Sequence, residues 1–176
     1  TMRTISKKHG LACLLHEKPF ANVNGSGKHN NFSLCTDTGE NLLSPGKNPE
    51  SNLQFLLMLC AFIRAVDLYA DLLRMSAACA GNDQRLGGCE APPPIISIFL
   101  GNHLTGILNH IAEGGSPNKV AREQMDIGVE AIPSVTKDET DRNRTSPFAF
   151  TGNKFEFRMV GSSQSLAYSE VVLDTI

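Results

Sequence analysis

Polar and apolar residues alternate twice along the chain. From residue 29 onward, His29, Asn31 and Ser33 fall on one side of an extended backbone and Asn30, Phe32 and Leu34 on the other. That is the pattern of a strand with one buried face and one face of hydrogen-bonding groups. Residues 154–160 repeat it, opposing Lys154, Glu156 and Arg158 to Phe155, Phe157 and Met159. A third strand is expected at residues 11–15, a short apolar run after His9-Gly10 that stops before Pro19 and suits burial. A glycine-rich loop at residues 22–27 and a turn-rich stretch at 36–47 follow. Asn48-Pro49-Glu50 then offers a cap, a first-turn proline and a first-turn acid, which predicts a helix from there to about residue 78. Its charges Arg64, Asp67, Asp71 and Arg74 form one narrow stripe on an otherwise apolar cylinder, so a mostly buried scaffold helix is expected. Residues 80–94 read as a glycine- and proline-rich loop leading into the apolar run 95–100. A shorter helix is predicted from about residue 103 to 113, ended by Gly114-Gly115, and a charged solvated loop at 137–144.

Size and charge narrow the classes. The chain has 176 residues, 41% of them apolar, and its 16 basic and 18 acidic residues leave a net charge of −2. This fits one soluble domain or a piece of a larger one, and gives no general field for nucleic acid or an anionic membrane. The longest apolar run, residues 55–63, is nine residues, against about 20 for a membrane span. The five cysteines show no Cys-x-x-Cys pair, which indicates reduced thiols in a cytoplasm rather than a disulfide framework or thiolate zinc site. Arg3, Lys7 and Lys8 precede no secretory apolar core. The first residue is Thr1 and residues 171–176 stop in mid-pattern, so an internal segment of a longer protein is expected.

Chemistry could sit on the strand at 154–158, where the inward aromatic face gathers a carboxylate and two cations on the other side. A solvated sheet surface is the commoner meaning of such a pattern. A hard cation held by Glu156 beside phosphates neutralised by Lys154 and Arg158 is the functional one. The segment Asn24-Gly25-Ser26-Gly27-Lys28-His29 looks like a phosphate loop, yet it lacks the Gly-x-x-x-x-Gly-Lys-Ser/Thr spacing and runs into a strand. What its glycines allow is close backbone approach to a ligand, with an asparagine amide at hand. His29 is a surface histidine or, with Asn31 and Ser33, part of a ligand set. Arg85 and Arg144 sit among turn residues, either solvated or gripping a carboxylate or phosphate. Glu90 is open in the same way. The residues alone support a possible phosphate and divalent-metal site.

Taken in order, four motifs resemble the glutamine synthetase family: Asn24 to Ser33, Asn82-Asp83-Gln84-Arg85-Leu86-Gly87 with Glu90-Ala91-Pro92, Asn143-Arg144-Thr145-Ser146, and Lys154-Phe155-Glu156-Phe157-Arg158. The flanks His16-Glu17-Lys18-Pro19-Phe20 and 146–158 are similar to the long bacterial type III form, and the likeness runs from about Lys8 to the end. The resemblance implies an α+β fold, part of a single catalytic domain over residues 1–176, with a curved, mostly antiparallel sheet covered by helices. It implies an ATP-dependent ligase that joins ammonia to glutamate through γ-glutamyl phosphate, with Mg²⁺ or Mn²⁺. Asn24 and Gly25 would then hold glutamate, His29 and Glu156 would ligate metal, and Asn31, Ser33 and Lys154 would face the nucleotide. Arg85 would grip the substrate carboxylate, Glu90 would close the site and help deprotonate ammonium, and Arg144 and Arg158 would stabilise the phosphoryl group. Asn31 stands where the shorter type I form has a second histidine, and Ala149 where it has a further arginine.

The same resemblance implies a cytoplasmic homo-oligomer, a dodecamer of two stacked hexameric rings, without nucleic acid or membrane partners. Further metal-binding glutamates and a β-grasp domain would lie upstream of this segment, so the segment alone is expected to be inactive and poorly soluble. The alternatives are a related ligase making γ-glutamylamides from other amines, and a non-catalytic relative acting as a structural or nucleotide-binding module.

Overall fold

The alternating phenylalanines organise the sheet. In a computed structural model of the chain, residues 1–116 and 146–176 are described, together with the backbone of two short strands between them. Strand β1 (Gly27–Phe32), β2 (Ile98–Phe99), β5 (Phe148–Phe150) and β6 (Phe155–Gly161) form one sheet in the order β1-β6-β5-β2. The β1–β6 and β6–β5 pairs are antiparallel and β5–β2 is parallel. A separate antiparallel pair joins β3 (Gln124–Met125) to β4 (Val135–Thr136). The α+β, mostly antiparallel architecture expected from the sequence is therefore present.

Phe148, Phe155 and Phe157 are fully buried. Phe155 stacks on Phe62 with ring centres 4.3 Å apart and on Phe148 at 5.0 Å, and meets Phe150 edge-on at 5.3 Å. Such pairs contribute beyond their buried area. Phe62 comes from helix α2 (Leu53–Leu68), so this cluster clamps the helix to the sheet. Helices α3 (Ala70–Ser76) and α6 (Ala167–Thr175) pack together, with a buried hydroxyl pair, Ser76 Oγ to Ser169 Oγ, at 2.9 Å.

Several elements depart from the sequence pattern. Residues 11–15 form no strand: Leu11, Leu14 and Leu15 are exposed, because no neighbouring strand offers this run a ladder among the described residues. The expected helix from residue 49 to 78 begins as a 3-10 turn, Pro49–Ser51. Its cap is Asn52, whose side chain accepts from the Phe55 N–H at 3.1 Å. It then breaks at Tyr69, which closes α2 and opens α3. Nor is it mostly buried: Leu53 and Leu57 are 73% and 70% exposed, while Phe55, Leu56, Leu59 and Val66 face the core. The apolar cylinder has one covered side.

Within the expected loop 80–94 lies a short helix, α4 (Ala80–Arg85), opened by Cys79, whose sulfur accepts from the Asn82 N–H. Asn82 is fully buried and its amide donates to the carbonyls of Ala77 at 2.7 Å and Met159 at 2.8 Å. Tertiary anchoring thus carries a helix through Gly81, Asn82 and Asp83, which are poor helix formers. The apolar run 95–100 yields just the two-residue β2. Helix α5 (Asn102–Ala112) matches the predicted shorter helix, with Gly114 at φ 80° in the left-handed region after its end. At the N-terminus, α1 (Met2–Lys8) buries no residue and shows no apolar period from which a helix could be read. The charged loop 137–144 lies outside the described residues, and no described helix is long and apolar enough to cross a membrane.

Candidate functional site

Antiparallel pairing of β1 with β6 brings the two polar faces together. Asn31 stands opposite Glu156, and an irregularity between Lys28 and Asn30 lets three steps of β6 match two of β1. On that shared face His29 Nδ1 lies 2.7 Å from Glu156 Oε1. A carboxylate accepts, so this nitrogen carries the hydrogen. The other carboxylate oxygen, Oε2, is 3.4 Å from Arg158 Nε. His29 is half exposed, Glu156 largely covered and Arg158 buried. One carboxylate thus links an accessible imidazole to a buried guanidinium.

A divalent cation would take a ring nitrogen of His29 and a carboxylate oxygen of Glu156 as donors in place of the hydrogen bond between them. The chemistry of this donor pair fits a divalent metal, although no third histidine, cysteine, aspartate or glutamate joins it among the described residues.

A second pairing lies just before β1. Asn24 Nδ2 donates to Glu90 Oε2 at 2.7 Å, joining the glycine loop to the segment after α4. Glu90 holds φ at 56°, and so does Asn22 at 61°. The left-handed region is costly for a side chain such as glutamate, about 1–2 kcal/mol. The strained residue is the one that reaches across to the loop.

Arg85 departs from its expected place. It is buried, and its Nη1 donates to Asn82 Oδ1 at 2.9 Å while Nη2 donates to the Arg158 carbonyl at 3.3 Å. Further contacts reach the carbonyls of Met159 and Val160. Gly25 and Gly27 lie directly on it: a Cβ on Gly27 would sit 2.1 Å from Nη2, and one on Gly25 2.8 Å from Cγ. Burial pushes the guanidinium below its ordinary value, partly offset by the charge of Glu17. The fork expected to grip a substrate carboxylate is turned inward, because the backbone carbonyls of β6 satisfy it.

Of the other expected residues, Asn31, Ser33 and Lys154 are exposed on or beside the shared face. Arg144 lies outside the described residues. Glu17, which no sequence pattern marks, is buried and accepts from the Ser163 N–H at 3.0 Å and from the Ser163 hydroxyl. Burial alone would raise this carboxyl, but the Ser163 side chain and backbone bonds hold it below the ordinary value of 4.5. A glutamate among the basic residues of His16-Glu17-Lys18 gives no periodic signal of burial.

Comparison with known proteins gives the context. Residues 1–62 match the family model described as glutamine synthetase, catalytic domain. The type-3 glutamine synthetase of Dictyostelium discoideum is 59% identical over 175 residues, which is 99% of this chain and 24% of that protein. The glutamine synthetase of Butyrivibrio fibrisolvens is 60% identical over 155 residues, 88% of this chain and 22% of the relative. That of Bacteroides fragilis (strain YCH46) is 51% identical over 176 residues, covering 98% and 24%. The chain spans about a quarter of the length of these curated relatives. Identity of 51–60% over 88–99% of the chain, together with the catalytic-domain match at residues 1–62, means that the chain belongs to the glutamine synthetase family.

Proposed function

We propose that this chain is part of a single catalytic domain in an ATP-dependent ligase that forms glutamine from glutamate and ammonia. The observation that carries the reading is the pairing of His29 with Glu156 at 2.7 Å across β1 and β6, beside the Asn24–Glu90 bond at the mouth of the glycine loop. In the reaction a γ-carboxylate oxygen of glutamate attacks the terminal phosphorus of ATP, and ADP leaves. The nitrogen of ammonia then attacks the acyl carbon and phosphate departs.

Asn24 and Gly25 hold the glutamate, the asparagine amide donating and the glycine seated on Glu17 and Arg85. Asn31, Ser33 and Lys154 face the nucleotide. His29 and Glu156 would hold Mg²⁺ or Mn²⁺, which when bound neutralises phosphate charge and orients the phosphates. Arg158, fixed by Glu156, and Arg144 add positive charge where the phosphoryl group is in flight. Glu90 accepts a proton from ammonium and, held by Asn24, covers the acyl phosphate against water. The inward Arg85 shapes the loop from beneath. The working protein is a cytoplasmic homo-oligomer in this reading, a dodecamer of two hexameric rings.

The test is Glu156→Ala in the full-length protein, assayed for glutamine formation against Mg²⁺ or Mn²⁺ concentration. The metal requirement is expected to rise about 10- to 100-fold. An unchanged metal dependence would refute the site. Turnover of other amines with no use of ammonia would point instead to a γ-glutamylamide ligase.

A further inference from the structure

The structure assigns Glu17 a role as a positioning residue: with Ser163 and the backbone of Ser26 its buried side chain forms a clasp that holds the Asn24–Gly25 segment in its substrate-binding conformation. The inference rests on the reading of that segment as the glutamate-holding loop and adds the residue that sets its place.

The clasp closes on itself. The Glu17 carbonyl accepts from the Ser26 N–H at 2.8 Å, the Ser26 carbonyl accepts from the Ser162 N–H at 3.2 Å, and the Ser163 N–H and hydroxyl donate back to the Glu17 carboxylate. Three stretches far apart in sequence, at 17, 26 and 162–163, are thereby tied through one side chain and two carbonyls. Space is made for it by absent side chains. A Cβ on Gly81 would lie 2.7 Å from Glu17 Oε2, and one on Gly161 2.8 Å from Oε1. A Cβ on Gly25 would lie 2.6 Å from the Glu17 carbonyl, so the loop rests directly on this residue's backbone. Beneath both lies the Arg85 side chain, in contact with Gly25 and Gly27 and in electrostatic interaction with Glu17.

A buried carboxylate destabilises unless it is paired and hydrogen-bonded. Glu17 is 4% exposed, and its partners fix it at a cost that an apolar residue filling the same space would not carry. What the carboxylate adds is direction. It draws the turn after β6 onto the segment carrying Ser26, and residues 24 and 25 are the next along that segment. Neither Glu17 nor Ser163 needs to touch substrate for this. The consequence is selective: glutamate binding depends on the clasp, whereas nucleotide contacts at Asn31 and Lys154 arise from the β1–β6 ladder, which the clasp does not form.

The experiment uses the full-length protein with Glu17→Ala and Glu17→Gln, reading steady-state kinetics and amide hydrogen exchange. For Glu17→Ala the KM for glutamate is expected to rise about tenfold, the equivalent of ~1.4 kcal/mol, with the KM for ATP within about twofold. Amides at 24–27 should exchange about tenfold faster while those of α2 keep their protection. Glu17→Gln keeps an acceptor for Ser163 and is expected within about threefold of the parent. Equal rises in both KM values, or faster exchange spread into α2, would overturn the proposal in favour of a general structural role. Unchanged exchange at 24–27 would overturn it outright, even with glutamine formation intact. If the parent makes no glutamine yet Glu17→Ala loosens 24–27 alone, the clasp stands and the proposed reaction falls. Should Glu17→Ala fail to fold, the exposed Ser163→Ala removes one donor and is expected to shift the same two readouts by about threefold.

Discussion

Gly27→Ala offers a test of how tightly the glycine loop sits on its support. Gly27 is not among the residues with positive φ, so alanine meets no backbone objection there, and in a strand it would ordinarily be neutral or favourable. The obstacle is steric. Its Cβ would lie 2.1 Å from Arg85 Nη2 and 2.4 Å from Cζ, and an ordinary contact needs 3.4 Å, so the guanidinium must retreat by roughly 1.3 Å. Its bonds to the carbonyls of Arg158 and Val160 are already 3.3 and 3.4 Å long. A retreat of that size takes both beyond hydrogen-bonding reach. Two bonds from a charged donor contribute about 1.5–3 kcal/mol each, so a loss of about 3 kcal/mol or more is expected. For a cooperative unit of this size that is roughly 6–12 °C in Tm. Thermal melts of Gly27→Ala, Arg85→Met and the double variant form a cycle in which the double is less damaged than the sum of the singles, by about 2 kcal/mol. A Gly27→Ala variant melting within about 1 °C of the parent, or strict additivity, would refute the contact as drawn.

Three further outcomes are expected. The Glu17 carboxyl is held below its ordinary value of 4.5, so it binds a proton less readily folded than unfolded; its stabilisation is present above that pH and fades as the pH falls through the folded value. Acid titration of Tm should therefore show the parent and Glu17→Gln converging in that window, and a constant gap would contradict it. Phe155→Ala should cost about 3–5 kcal/mol, because three ring contacts vanish with the buried volume, and a melt lowered by under about 1 kcal/mol would place the core elsewhere. Asn52→Ala should cost about 1 kcal/mol in chemical denaturation, whereas Asn48→Ala should be near neutral, since Asn52 and not Asn48 makes the side-chain cap bond.

The period-2 strands were legible because burial enforces them. Phe155, Phe157 and Met159 are all fully covered, and no other register would bury them together. The turn and cap chemistry of α5 was legible for a local reason, the Gly114-Gly115 stop. What failed was any feature decided by distant partners. Tyr69 breaks the long helix without a proline or glycine nearby, and α3 beyond the break packs on α6 through the Ser76–Ser169 hydroxyl pair. Residues 80–85 look like loop by composition and become helix because Asn82 is anchored to Ala77 and to Met159 on β6.

The candidate site divides the same way. His29 and Glu156 could be placed on polar strand faces from alternation, and those faces meet once the two strands are neighbours sharing a core. Arg85 and Glu17 could not. A charged residue in a segment rich in turn formers reads as solvated, and nothing local says that three backbone carbonyls of β6 wait for one or that the Ser163 N–H waits for the other. Gly25, Gly27, Gly81 and Gly161 are the traces these two leave in the sequence: each is the absence of a side chain where a buried charge needs room. A glycine whose φ any residue could adopt is therefore a stronger pointer to a close neighbour than one in a turn, and in this chain such glycines surround the charged pair that supports the loop.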